Sequence, residues 1–489
     1  MNSLEHTLAE LGRKVIENNH WRQRQCFNLI PSENTPSLLV RLCEISDPSG
    51  RYAEHKRALQ KEREALTGSG ALKGDQVYYY QGTDFIFEVE ETVKKAFGTY
   101  ASASEVEARP ISGQMANEIV FKAAVRFMAA DLEGFPKLTG TKRISSVMNN
   151  NLNFGGHLSA QPFGALFNYI DGRVINFPLN EKNSYQIDTE RMLDLVHQER
   201  PPMIIFGKSM FLHPEPVSQL RALVDSIPDY NPIIMYDAAH VMGIIGPHFQ
   251  DPLAEGADVM TGSTHKTFYG PQRGIIASNL HPDHPMRKLW TEINGRSFPG
   301  STSNHHLGTL LALLVATLEM NQYRDEYQKQ VVDNAKAFAN ACAAYGIPVE
   351  GGEEYGYTTT HQVLIRVAKF ADGKEIAKRL EDNNIVTNYQ ALPDDETFYH
   401  PSGIRMGVSE MTRFGMKEND FELLARYMAD IIVNNKTVAD DVAQYRTHFD
   451  TMQYCLGTGE SLRIVSSIFE SLFPNSEHFQ TFAKALLDM

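Results

Sequence analysis

Leu4, Leu8, Leu11 and Val15 fall on one face of a 3.6-residue repeat. The spacing predicts an amphipathic N-terminal helix over residues 4–19, packed on its own subunit or on a neighbour. From about residue 95 to 280 the pattern changes. Short apolar runs at 143–148, 203–206 and 232–236 alternate with helical spacing, and Gly, Pro, Asn or Asp bounds each run. Residues 257–260 and 274–277 have the same character. Continuous apolar runs of this length suit strands covered on both faces, so they predict an α/β domain with a mostly parallel sheet. In such sheets ligands collect at the carboxyl ends of the strands.

Helical spacing then runs from residue 306 to about 345, with a break expected near Tyr323. Beyond it, 362–367 and 403–408 read as strands, and 374–383 and 418–434 as helices. The expected divisions are a helical arm (1–30), a large α/β domain (31–305), a smaller α+β domain with its connecting helix (306–435) and a helical extension (436–489).

Composition narrows the function classes. The 489 residues carry a formal charge of −14, which disfavours nucleic acid or an anionic membrane as the main partner. The longest apolar run, residues 310–315, is far too short to span a bilayer, and the N-terminus lacks the basic and apolar regions of a signal peptide. Cys26, Cys43, Cys342 and Cys455 are far apart, without metal-ligand or redox spacing, which suggests a reducing cytoplasm and no metal site.

Candidate chemistry centres on Gly262-Ser263-Thr264-His265-Lys266-Thr267. This places a lysine among small and hydroxyl residues between two apolar strands. Desolvation lowers the pKa of such an amine, and a neutral amine can form a Schiff base. Asp237 closes another strand, 29 residues earlier. A carboxylate there can keep a pyridine nitrogen protonated, although an isolated Asp at a strand end is more often a helix cap. Ser112-Gly113 precedes an apolar helix pattern, where backbone N–H groups suit a phosphate or the serine simply caps the helix. His157 follows a Gly-Gly turn and can stack on a ring. Arg405, within the apolar run 403–408, needs an anion: a substrate carboxylate or an internal salt bridge.

Taken together these residues resemble the serine hydroxymethyltransferase family. Leu29-Ile30-Pro31-Ser32-Glu33-Asn34, Tyr52-Ala53-Glu54, Tyr79-Tyr80-Gln81-Gly82, Ser112-Gly113, Gly155-Gly156-His157-Leu158, Asp237-Ala238-Ala239-His240, Thr264-His265-Lys266-Thr267 and Ser402-Gly403-Ile404-Arg405 occur in the family's order. The resemblance implies an aspartate aminotransferase-like, fold-type I enzyme dependent on pyridoxal 5'-phosphate. It implies Lys266 as the Schiff-base lysine, Asp237 at the pyridine nitrogen and His157 on the ring. Ser209 and His240 would lie near the phenolic oxygen, Ser112 and Gly113 near the phosphate, and His265 beside the lysine. Arg405 and Ser32 would bind the substrate carboxylate, with Glu54 as acid/base at the β-hydroxyl. Tyr52, Tyr80 and Gly274 would come from the neighbouring subunit of a homodimer or dimer of dimers. The implied reaction is retro-aldol and aldol chemistry on serine, threonine or glycine with an aldehyde, through a glycine quinonoid.

The sequence also departs from that pattern. Residues 55–78 separate the two tyrosine motifs, and helical spacing over 56–66 predicts a helix there. Gln114 stands where the family has a phosphate-side serine, and Arg273 interrupts its Gly-Pro-Arg-Gly-Gly, where it could supply a cation near the phosphate or point elsewhere. Gln390 takes the place of a folate-contacting asparagine. Tetrahydrofolate is therefore left open as a second cofactor. A folate-independent threonine transaldolase or aldolase is the alternative, to which Met411-Thr412-Arg413-Phe414-Gly415-Met416-Lys417-Glu418 is more similar. A non-catalytic binding protein is a third reading, opposed by the presence of Lys266, Asp237, Glu54 and Arg405 together.

Overall fold

The computed structural model describes residues 3–56, 74–138, 140–457 and 459–473, with isolated positions beyond. Its centre is a seven-stranded sheet in the order Glu105–Glu107, Gly274–Ser278, Val259–Ser263, Ile233–Asp237, Met203–Phe206, Val147–Asn149, Val174–Asn176. Gly274–Ser278 runs antiparallel to both its neighbours, and all other pairings are parallel.

The continuous apolar runs have a direct physical reason. Side chains alternate between the faces of a strand. Ile204, Phe206, Ile234, Tyr236 and Met260 enter one core, while Met203, Ile205, Ile233, Met235 and Val259 enter a second core on the other face. Both faces are dry along these positions, so polar residues are confined to the carboxyl ends of the strands, as at Asp237, Thr261 and Ser263. Fully burying each such side chain is worth about 1.5–3 kcal/mol. Helices Gly113–Met128 and Arg287–Ser297 pack together over the second core.

Helix Leu307–Ala344 is unbroken through Tyr323, contrary to the expected break. Its mid-length polar residues are satisfied by main-chain carbonyls of other elements. Asn321 donates to Ala96 O at 2.9 Å, Gln328 to Ile245 O at 2.8 Å and Tyr327 to Thr267 O at 2.9 Å. The 143–148 run is strand only over Val147–Asn149, with Ile144 bridged to Ile170.

A second, antiparallel sheet orders Asn388–Gln390, Gly403–Gly407, Gln362–Arg366, flanked by helices Gly373–Asp382 and Glu418–Ile432. Phe27–Asn28 pairs in parallel with Ile385–Val386 and leads the chain into Ile30-Pro31-Ser32. Helices Ala439–Arg446 and Glu460–Ser471 follow. In the N-terminal helix Ser3–His20, Leu4, Leu8, Leu11 and Val15 remain exposed. The helix expected over 56–66 lies outside the described residues, apart from Lys56. Among the described residues no helix is long and apolar enough to cross a membrane.

Candidate active site

Asp237, Lys266, Ser209 and His157 lie at the carboxyl edge of the large sheet because each follows or ends a strand of the parallel set. Asp237 ends Ile233–Asp237, and Lys266 lies three residues past Val259–Ser263. Ser209 follows Met203–Phe206, and His157 follows Val147–Asn149 through a loop. A bridge from Gly156 to Lys208, with Ser209 N–H donating to Gly155 O at 2.6 Å, joins the last two loops. Gly207 turns beneath them at φ +107°, and an added Cβ would lie 2.2 Å from Asp237 O, so no side chain fits.

Asp237 is buried and held from several sides. His157 Nδ1 and Asn117 Nδ2 (2.7 Å) both bond Oδ2, and Ala239 N–H donates to Oδ1 at 3.0 Å. Burial opposes ionisation, but His157, Asn117 and Ala239 more than offset it and hold the carboxyl below its ordinary value. Asn117 is itself fixed by Thr261, which donates to its Oδ1 at 2.6 Å, and it donates onward to Ser159 Oγ at 2.8 Å.

Lys266 faces this carboxylate. Desolvation, eased by Asp237 and reinforced by Arg405, lowers its amine from 10.5 to about 8. Burial, with the Lys266 and Arg405 charges nearby, also holds His240 well below its usual value. Burial lowers His265, beside the lysine, to about 4. Asn34 donates to the main-chain carbonyl of Lys266 at 3.0 Å, so the Ser32-Glu33-Asn34 turn is tied directly to the lysine loop. Ser32, His265 and Gly270 line one cavity of about 630 Å³ there.

Arg405 extends from the second sheet. Its Nη1 donates to Ser209 O at 2.9 Å, and its Nε is buried with no protein partner. No carboxylate among the described residues forms an ion pair with it, so the internal salt bridge is not found. Desolvation lowers it to about 10. Pyridoxal phosphate asks for an amine neutral near physiological pH, an ionised carboxylate and unpartnered polar groups around them. Lys266, Asp237 and the orphaned buried atoms His157 Nε2 and Arg405 Nε meet those demands, so the residues fit the group.

Ser112 caps helix Gly113–Met128, its Oγ accepting from Met115 N–H at 3.1 Å. The cap spends the hydroxyl but leaves earlier backbone N–H groups of the first turn directed outward. Gly274, expected from the neighbouring subunit, packs in its own chain: an added Cβ would lie 2.0 Å from Ser112 O. Arg273 points away from that turn. Its guanidinium donates to His305 O, His306 O, Thr309 Oγ1 and Ala108 O, which fixes the start of the long helix. Arg413, in the 411–418 segment, is likewise internal, over the Tyr269 ring at 3.7 Å. Gln390 is half-buried and donates to Ala391 O at 3.2 Å.

Tyr52 and Tyr80 are exposed, with ring centroids 5.1 Å apart, and Tyr52 OH meets Ser303 Oγ at 3.3 Å. No hydrogen bond or ion pair among the described residues joins Tyr52, Glu54 or Tyr80 to the Lys266 cluster.

Sequence reasoning missed Asn117, His361 and Gln362. Gln362 donates to Ser209 O at 3.0 Å and meets His240 Nδ1 at 3.3 Å, while His361 Nε2 meets Pro31 O at 3.3 Å. Their signal was present: a polar pair opening an apolar strand, and one asparagine on the apolar face Ala116, Ile119, Val120.

Comparison with known proteins agrees with this arrangement. Residues 6–428 match the serine hydroxymethyltransferase family. A serine hydroxymethyltransferase from Pyrobaculum islandicum is 37% identical over 463 residues, covering 94% of this chain and 96% of the relative. One from Archaeoglobus fulgidus is 36% identical over 455 residues, covering 92% and 93%. The crystal structure of an L-threonine transaldolase from Pseudomonas fluorescens, in its internal aldimine state, superposes with a TM-score of 0.76 at 25% identity, covering 96% and 99%. With the family match and these relatives extending over nearly the whole length of the chain, the protein belongs to the serine hydroxymethyltransferase family, pyridoxal phosphate-dependent transferases of fold type I.

Proposed function

We propose that this enzyme cleaves and forms the Cα–Cβ bond of β-hydroxy amino acids by retro-aldol and aldol chemistry. The observation that carries the reading is Arg405, a desolvated arginine with no carboxylate partner, close enough to Lys266 to lower its pKa. An α-amino acid presents a carboxylate that such an arginine can bind through charge-assisted hydrogen bonds, next to an amine for the lysine side of the site.

In this reading Lys266 would hold pyridoxal phosphate through its amine, and Asp237 would receive the pyridine N–H. His157 would cover the ring, Ser209 and His240 would flank its phenolic oxygen, and Ser112, Gly113 and His265 would border the phosphate side. Once bound, the group supplies a sink for the electron pair left when Cα–Cβ breaks. Arg405 and Ser32 grip the substrate carboxylate. Glu54 takes the β-hydroxyl proton, an aldehyde leaves, and a proton returned to Cα yields glycine. Glu54, Tyr52 and Tyr80 are supplied by a second subunit, in keeping with their having no hydrogen bond or ion pair to the Lys266 cluster among the described residues. The assembly is a homodimer or dimer of dimers, and its four free cysteines suit the cytoplasm.

The Pyrobaculum and Archaeoglobus relatives favour tetrahydrofolate as the one-carbon partner. The transaldolase neighbour favours a second reading, in which threonine donates and an aldehyde accepts without folate. Two measurements test these. Borohydride should fix pyridoxal phosphate to Lys266, and absence of that adduct in supplemented protein would remove the enzyme reading. Glycine with tetrahydrofolate should build a long-wavelength absorbance in a hydroxymethyltransferase. Acetaldehyde release from threonine with no response to folate would favour the second reading.

A further inference from the structure

We propose that Glu90 is a positioning residue that sets the Tyr52-Ala53-Glu54 and Tyr79-Tyr80 segments in one register, so that they enter a neighbouring active site together. The proposal rests on the function above. Residues 57–73 intervene between the two segments in sequence. Among the described residues a short main-chain contact joins them beside the Tyr52–Tyr80 ring contact: a bridge of His55 with Tyr78, with Lys56 N–H donating to Val77 O at 2.9 Å and Tyr79 N–H to Glu54 O at 3.0 Å. Two main-chain hydrogen bonds are a weak clasp against the conformational entropy of two loop segments.

Glu90, on helix Asp84–Ala101, lies directly behind that clasp and is 1% exposed. Its Oε2 accepts from Tyr78 OH at 2.6 Å and meets His55 Nε2 at 3.1 Å. Lys94 Nζ donates to Oε1 at 2.6 Å, and His305 Nε2 lies 3.8 Å from Oε2. One carboxylate therefore binds one residue from each segment. His55 is the neighbour of Glu54, and Tyr78 precedes Tyr79-Tyr80. The His55 and Tyr78 rings meet edge to face at 4.6 Å, and both are buried.

Anchored inward at those two residues, the segments leave Tyr52, Tyr79 and Tyr80 exposed and Glu54 half-buried. Burial raises the Glu90 carboxyl, but Lys94, His55 and His305 outweigh it and hold the group well below its usual value, so it stays ionised. A buried charge is a poor route to stability alone, because apolar packing serves that end as well. Its directional hydrogen bonds set a geometry that apolar packing does not.

The test uses Glu90→Ala, with Tyr78→Phe as the milder variant should the first fail to fold. Backbone amide exchange is followed in cofactor-free protein. In holoenzyme, borohydride fixation at Lys266, α-proton exchange on glycine and cleavage of a β-hydroxy amino acid are compared. Exchange at the Lys56 and Tyr79 amides should accelerate about ten-fold or more, with helix Leu307–Ala344 unchanged. Fixation and glycine exchange, which do not need Glu54, should hold. The kcat for cleavage should fall roughly 10²-fold with KM little altered, because misplacement of about 1 Å costs that much. Tyr78→Phe should move each readout the same way by less.

Cleavage and glycine exchange falling in parallel, or cleavage and amide exchange both unchanged, would overturn the proposal. Wild-type enzyme that exchanges glycine but cleaves no β-hydroxy amino acid would instead defeat the proposed function, and the amide-exchange result would still judge the register.

Discussion

The side-chain amide of Asn34 donates to the main-chain carbonyl of Lys266 at 3.0 Å, joining residues 232 positions apart. It ties the entry turn of the N-terminal segment to the loop that carries the lysine. Asn34→Ala should cost about 1 kcal/mol of stability, the usual net worth of such a bond. Asn34→Asp should cost more, because a carboxylate would then face a carbonyl. Thermal melts of cofactor-free protein measure the first effect, and the rate of borohydride-fixed loading at Lys266 measures the looser loop.

The amine of Lys266 titrates at about 8, against 10.5 for an ordinary lysine. Its reaction with amine reagents in cofactor-free protein should therefore rise through about pH 8, well before exposed lysines respond. The same shift has a stability sign. Between about pH 8 and 10.5 the unfolded chain binds the proton and the folded chain does not, so stability from this group rises with pH over that window. Lys266→Met should thus raise the melting temperature at pH 7 and have little effect near pH 10.5. Equal effects at both pH values would contradict the buried-amine assignment.

Arg405 pairs stability against function. It is desolvated and without a carboxylate, so Arg405→Leu should leave the cofactor-free protein as stable as wild type or more so. Loss of a charge-assisted carboxylate grip should lower kcat/KM for amino acids about 10²–10³-fold. Arg405→Lys should recover little, since an ammonium does not match a carboxylate with two parallel donors. Steady-state kinetics beside a melt separates the effects.

Glu54 is predicted to act from the neighbouring subunit. Glu54→Gln should reduce cleavage of β-hydroxy amino acids about 10²–10⁴-fold with Lys266 still trapped by borohydride. Mixed, refolded Glu54→Gln and Lys266→Ala chains should regain activity, because half of the hybrid sites carry both residues. Mixtures that stay dead would place Glu54 in the same subunit as its lysine.

The large sheet was legible in the sequence because both of its faces are dry, which leaves runs such as Met203–Phe206 with no polar interruption. The long helix was legible in extent but not in continuity. A break was expected near Tyr323, where the helix instead runs through, its polar side chains Asn321 and Gln328 bonded to distant carbonyls. Lys266, Asp237 and His157 were visible because each is a polar residue beside a strand end or glycine turn, in an order shared with a known family. Asn117 and Gln362 were not, because each acts through a partner far away in sequence.

Arg273 and Arg405 mark the boundary between the two kinds of knowledge. Both stand in apolar surroundings, and local pattern treats them alike. Tertiary structure surrounds Arg273 with main-chain carbonyls and leaves Arg405 with one, so the first is a structural clamp and the second is open to an anion. The chain's own order of residues determined the fold class, the lysine and its carboxylate, since hydrophobic period and strand-end position are local properties. Which cation has no carboxylate partner among the described residues, and which segments Tyr52 and Glu54 contact, depended on contacts between distant segments, which exist only once the chain has folded.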